Sequence, residues 1–186
     1  MVPEISGNGG AYDLPEWSMP PPMIGGHVAG PAVIGRSDLA VVATRQVLAF
    51  PTGVQLEVDA HARGASAGPT SATAFEYLTR EPDLRFRLRF SDGREAAQDD
   101  EAGLRTGRGP ILMVRGAESS HGDPETGEDA HLILWAWPLP PPGPVELMCS
   151  WPSYGLRDKS LILDGDAIRA AALDAQPFWP GPDERG

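Results

Sequence analysis

Between Asp38 and Arg63 the chain carries two apolar-rich runs, LAVVATRQVLAF and VQLEVDAHAR, with only Pro51-Thr52-Gly53 between them. In the second run Val54, Leu56, Val58, Ala60 and Ala62 alternate with polar residues, the period of a strand that buries one face. A three-residue loop that begins with Pro and ends with Gly suits a type I turn closed by a left-handed residue. The two runs therefore predict a hairpin. With 22 glycines and 20 prolines among 186 residues, the chain is punctuated too often for long helices.

The same device recurs in LRFRLRFSDGRE, where Leu84, Phe86, Leu88 and Phe90 point one way, Arg85, Arg87 and Arg89 the other, and Ser91-Asp92-Gly93 turns the chain. ILMVR from Ile111, HLILWAW from His131, VELMCSW from Val145 and SLIL from Ser160 read as further strands. The polar stretches EAAQDDEAGLRTGRGP and GAESSHGDPETGED read as loops between them. DGDAIRAAALDAQ reads as the one helix, capped by Asp164 or Asp166, with Ile168, Ala171, Ala172 and Ala175 on one stripe and Pro177 ending it. Seven or so short strands and one late helix predict a mainly β fold. The architecture expected is an antiparallel β-sandwich of immunoglobulin-like size, or a partly open barrel, with one short C-terminal helix.

Residues 1–36 are rich in Gly, Pro and small side chains without a sustained period, and read as an extended or disordered arm. Its Trp17, Met19, Met23 and Ile24 are suited to dock along the sheet as a strap. Residues 37–180 read as a single β-sandwich domain and 181–186 as a tail. The segment WAWPLPPPGPVELMCSW admits two readings, a polyproline II ligand or a rigid connection between strands. Strand patterns bracket it, Pro142-Gly143 suits the middle of a type II turn, and no basic residue lies nearby to orient a P-x-x-P ligand. A hairpin connection is the expectation.

WAWPLPPPGPVELMCSWPSYGL and LDGDAIRAAALDAQPFWP, with LAFPTGVQLEVDAHAR and LRFRLRFSDGRE, resemble a family of small uncharacterised bacterial β-rich proteins marked by a W-x-W-P-L-P-P-P-G-P segment. The similarity spans Asp38 to Pro180. It implies one β-rich domain, and it brings no activity, cofactor or catalytic residue.

Charge narrows the partners. Lys and Arg total 15 against 26 Asp and Glu, a net charge of -11, so nucleic acid and anionic membranes are repelled. No apolar run approaches the ~18 residues that span a bilayer. The start shows no signal peptide, and the single cysteine, Cys149, fits a reducing cytoplasm.

No catalytic constellation and no phosphate loop stands out, so a non-enzymatic role is expected. The loop at 118–131 gathers His121, Asp123, Glu125, Glu128, Asp129 and His131. Hard oxygen donors and imidazoles of this kind suit a divalent cation, and a merely solvated loop would also be charged. The candidate metal ligands are His121, Asp123, Glu128, Asp129 and His131; no other cofactor is expected. The arginine face at Arg85, Arg87 and Arg89 suits carboxylate or phosphate, although a half-exposed strand already accounts for it. HLILWAW is apolar on both parities, so a sandwich leaves one face needing cover from the late helix, the arm or a partner. Leu134, Trp135 and Trp137 are on that account candidate contacts for a protein partner or a second copy. The expected function is binding or scaffolding, with a metal-binding module or metal-dependent enzyme on the acidic loop as the alternative.

Overall fold

The computed structural model describes residues 15–20, 22–63, 83–98, 100–121 and 128–179. The first hairpin forms as its pattern requires: β4 (Ala40–Phe50) turns at Pro51-Thr52 into β5 (Gly53–Ala62), with Phe50 opposite Gly53. On β5 the residues Leu56, Val58, Ala60 and Ala62 are buried and Gln55, Glu57, Asp59 and His61 face outward. A bulge at Arg45 breaks the β4–β5 register and moves that side chain outward as well. β8 (Ile111–His121) and β9 (Glu128–Trp137) extend the sheet, which runs β2–β4–β5–β9–β8. Here β2 is Gly26–Ala29, and β3 (Ala32–Arg36) also pairs with β4.

The opposing sheet runs β11–β10–β6–β7, built from β6 (Arg85–Arg89), β7 (Glu95–Ala97), β10 (Pro144–Trp151) and β11 (Leu156–Asp164). All its pairings are antiparallel. Leu84, Phe86, Leu88 and Phe90 enter the core beside Val145, Leu147, Cys149 and Trp151, against Val42, Leu56, Val58, Leu132 and Leu134 from the six-stranded sheet. The expected antiparallel sandwich, an open structure and not a closed barrel, is the fold. The two ladders stay separate where β3 meets β11, although Gly35 lies so near Lys159 that a Cβ there would come within 2.5 Å of it.

The C-terminal helix, α2 (Gly165–Leu173), is capped by Asp164, whose carboxylate accepts from the Asp166 amide at 2.9 Å. Its stripe of Ile168, Ala171 and Ala172 closes the core beside β2 and β4. Small side chains matter there. A Cβ on Gly26 would sit 1.8 Å from the Ala171 carbonyl oxygen, so only glycine lets the strand pass beneath the helix.

Several stretches differ from expectation, among them residues 95–97 and 116–121, which read as loop and are strand in β7 and β8. Residues 26–36, read as part of the arm, are strands of the six-stranded sheet, because bulges near Val28 and Ile34 interrupt the period that would have announced them. The loop before Ile111 contains α1 (Glu101–Thr106), whose Asp100 cap accepts from the Gly103 amide at 3.0 Å. The proline segment is an ordered connection but not a hairpin, for it carries the chain from one sheet to the other. Both edges of β9 are already paired, with β5 and β8, and prolines offer no donor for a further ladder. Gly143, at φ +98°, makes the turn. Hydrogen bonds from Leu139 to Thr52, Ser91 to Pro142, Gly143 to Asp166 and Gly165 to Gly143 hold the segment in place.

Candidate functional site

The outward face of β9 presents Asp129, His131, Ile133, Trp135 and Trp137, and its two ends differ in chemistry. At the Trp135 end the neighbours across the ladders are Gln55 and Met113, with Phe50 and Ile111 close by. Trp135 has 0% exposure and meets Phe50 edge-on at 5.8 Å. Its cover comes from the chain itself: Trp17, Met19 and Met23 of the arm, Leu104 of α1 and Trp137 pack on this cluster. The Trp135 indole Nε1 donates to the Trp17 carbonyl at 2.8 Å, so the polar handle of the ring is satisfied by the same strap. Leu134, also at 0% exposure, belongs to the sandwich core, and Trp137 is half-buried. Leu134 and Trp135 thus offer no surface to a partner. Of the candidate covers the arm supplies it, joined by Leu104 of α1, which reads as loop in the sequence, while α2 packs beside β2 and β4.

The other end is polar and symmetric. Asp59-Ala60-His61 on β5 runs antiparallel to Asp129-Ala130-His131 on β9, in a register centred on Ala60 opposite Ala130. Each aspartate therefore faces the other strand's histidine. His61 Nδ1 lies 2.5 Å from Asp129 Oδ1, and His131 Nδ1 lies 2.9 Å from Asp59 Oδ1. Asp59 also accepts from Arg45 Nε at 3.0 Å, which the bulge in β4 makes possible. Burial by itself would raise the Asp59 carboxyl, but the hydrogen bonds and charges of His131 and Arg45 outweigh it and hold the group below its ordinary value. Glu118 of β8 stands opposite His131 on the same face.

Of the five candidate metal ligands, Asp129 and His131 share this face, each tied to a β5 side chain. His121 and Glu128 are opposite each other in the β8–β9 register. Asp123, like Glu125, lies outside the described residues. Among the described residues no group of three or more His, Cys, Asp or Glu is disposed to hold a metal ion. Asp59 and His61 escaped the sequence reading because they were scored as the polar half of a strand. The signal that would have found them is the repeated Asp-Ala-His triplet on two strands.

Elsewhere the arginine face is neutralised by its own sheet: Arg89 pairs with Glu95 and Glu146, and Arg87 with Asp158. Cys149 is buried, and burial pushes its thiol up to about 12, which disfavours the thiolate. No helix among the described residues is long and apolar enough to cross a membrane. Several large apolar side chains near the end of α2 stay exposed. Leu173 ends α2 at 87% exposure, and Phe178 (54%) and Trp179 (82%) follow the two-stranded ribbon of β1 (Met23–Ile24) and β12 (Gln176–Pro177), where Ile24 is also exposed. Comparison of the chain with family models, with curated proteins and with solved structures gives no match.

Proposed function

We propose that this protein is a non-enzymatic binding domain whose partner is a different protein, docked on the apolar surface at the end of α2. The observation that carries this reading is the exposure of Leu173, Phe178 and Trp179 within seven residues of one another beside Ile24. Isolated exposed apolar side chains are ordinary, whereas contiguous ones rich in aromatics are what partner surfaces use as anchors. Beside them an open groove of about 610 Å³, lined by Pro51, Leu139, Arg169 and Leu173, has room for a partner's side chain. A second copy is the weaker occupant, since each chain carries -11 and like charges oppose association. A partner of neutral or basic character meets no such cost. Self-association through Trp135 gains no support, because the strap covers that ring. The metal-binding alternative on residues 118–131 gains no support from the described residues, where Asp129 and His131 are engaged by His61 and Asp59.

The test places a photo-crosslinking amino acid at Trp179, at Leu173 and, as control, at Arg157 on the exposed side of β11. In the native cell the first two positions should give the same discrete heterologous adduct, and the control should not. The purified protein should sediment as a monomer at low and moderate salt. A dimer adduct, or equal labelling at all three positions, would refute the reading.

A further inference from the structure

A cavity of about 440 Å³ lies where the turn between β3 and β4 meets the ends of β5 and β9, and Arg36, Asp38, Leu39, His61, Arg63 and Asp129 are among its lining residues. Its two arginines have no carboxylate partner among the described residues. Arg45, Arg87, Arg89 and Arg94 each pair with a carboxylate. The Arg36 side chain is exposed and forms no hydrogen bond or ion pair among the described residues. Arg63 is held against the turn, with its backbone amide on the Leu39 carbonyl and its Nε on the Asp38 carbonyl, both at 2.9 Å. That anchoring leaves its two Nη groups uncommitted. His61 turns Nδ1 to Asp129, which fixes the ring and satisfies that carboxylate.

From this geometry we propose that the cavity binds a small organic monocarboxylate. A guanidinium fork matches a planar carboxylate, and the anchored Arg63 is already ordered for it. The overall charge of -11 does not forbid this, because at physiological ionic strength the Debye length is about 8 Å and the nearest groups decide. Those groups are two guanidiniums against Asp38, with His61 and Asp129 engaged with each other. This balance favours a single negative charge over a doubly charged phosphate. The apolar lining of Leu39 and Val41 complements a short hydrocarbon stem. The site is separate from the apolar docking surface, so either reading stands without the other.

The experiment is an amide and side-chain NMR titration of the full chain with butyrate, acetate and inorganic phosphate at constant ionic strength. A ligand of butyrate's size warrants a Kd on the order of 1 mM. The expected result is a saturable shift at Arg36, His61 and Arg63, with butyrate binding tighter than acetate and at least threefold tighter than phosphate. Arg36→Ala, whose side chain holds nothing in the fold, should keep its denaturation midpoint and weaken butyrate about tenfold. Arg63→Gln should abolish the shifts. Absence of saturation, equal binding by Arg36→Ala, or preference for phosphate would overturn the proposal.

Discussion

Strand β9 shows one outward face treated in two ways. Around Trp135 the face is apolar and the chain closes it with its own strap, whereas four to six residues away, around His131 and Asp129, it is polar and stays accessible. Both ends have the same backbone, the same parity and the same neighbours β5 and β8. Side-chain chemistry alone separates them. An indole left in water on a flat sheet is an association hazard, so the arm brings Trp17, Met19 and Met23 over it. Polar groups at the other end need partners and not cover, and the reciprocal Asp-Ala-His register supplies them pair by pair. Apolar excess in a strand is therefore no evidence of a partner until the rest of the chain has been placed.

The largest expected effect comes from emptying the covered end. Trp135→Ala removes a fully buried ring and its hydrogen bond, and should lower stability by about 3–5 kcal/mol in urea denaturation. A loss under about 1 kcal/mol would mean that the cluster around Phe50 and Trp135 is not packed as described. Deleting residues 1–19 takes Trp17 and Met19 but leaves the ring in place, and should cost about 2–3 kcal/mol. The truncated protein should also self-associate in sedimentation, since the apolar face is then open. Monomeric behaviour at unchanged stability would break the contrast between the two ends.

Much of the sandwich was legible in local pattern. The alternation in β5 and β6 placed their core residues, and the Pro-Thr-Gly turn placed the β4–β5 hairpin, because period and turn chemistry are written within a few residues of each other; β7 lies in a stretch that reads as loop. What could not be read was pairing at a distance. Nothing local says that β9 is flanked on both edges, so the proline segment looked like a hairpin when it crosses between sheets. Bulges hid β2 and β3, and the short α1 lacks an apolar stripe long enough to show a period. The site suffered the same limit. Asp59 and His61 acquire their roles only when β5 lies beside β9, seventy residues away in sequence.

At the polar end the effects should be small. Asp59→Asn exchanges two partly exposed charged contacts for weaker ones, and should cost less than about 1 kcal/mol near neutral pH. The sign with pH follows from the lowered Asp59 value. The contribution is fully present above the unfolded value of 3.8 and is lost as pH falls through the folded one. The stability difference between wild type and variant should thus shrink toward zero as pH falls from about 5 into stronger acid, as read from urea midpoints across that range. A difference that grew on acidification would contradict the pairing. Smallest of all, Trp179→Ala should leave the midpoint within about 0.5 kcal/mol, because that ring is exposed and not part of the core.

The account turns on the strap, and the Trp135 indole proton reports on it directly. Hydrogen exchange of the Trp135 Nε1–H, followed by NMR in the full chain, should be slow, limited by opening of the Trp17 cover. In the chain lacking residues 1–19 it should become fast. Fast exchange in the full chain, as for an indole open to solvent, would contradict the closure and return Trp135 to the list of surfaces that a partner must cover.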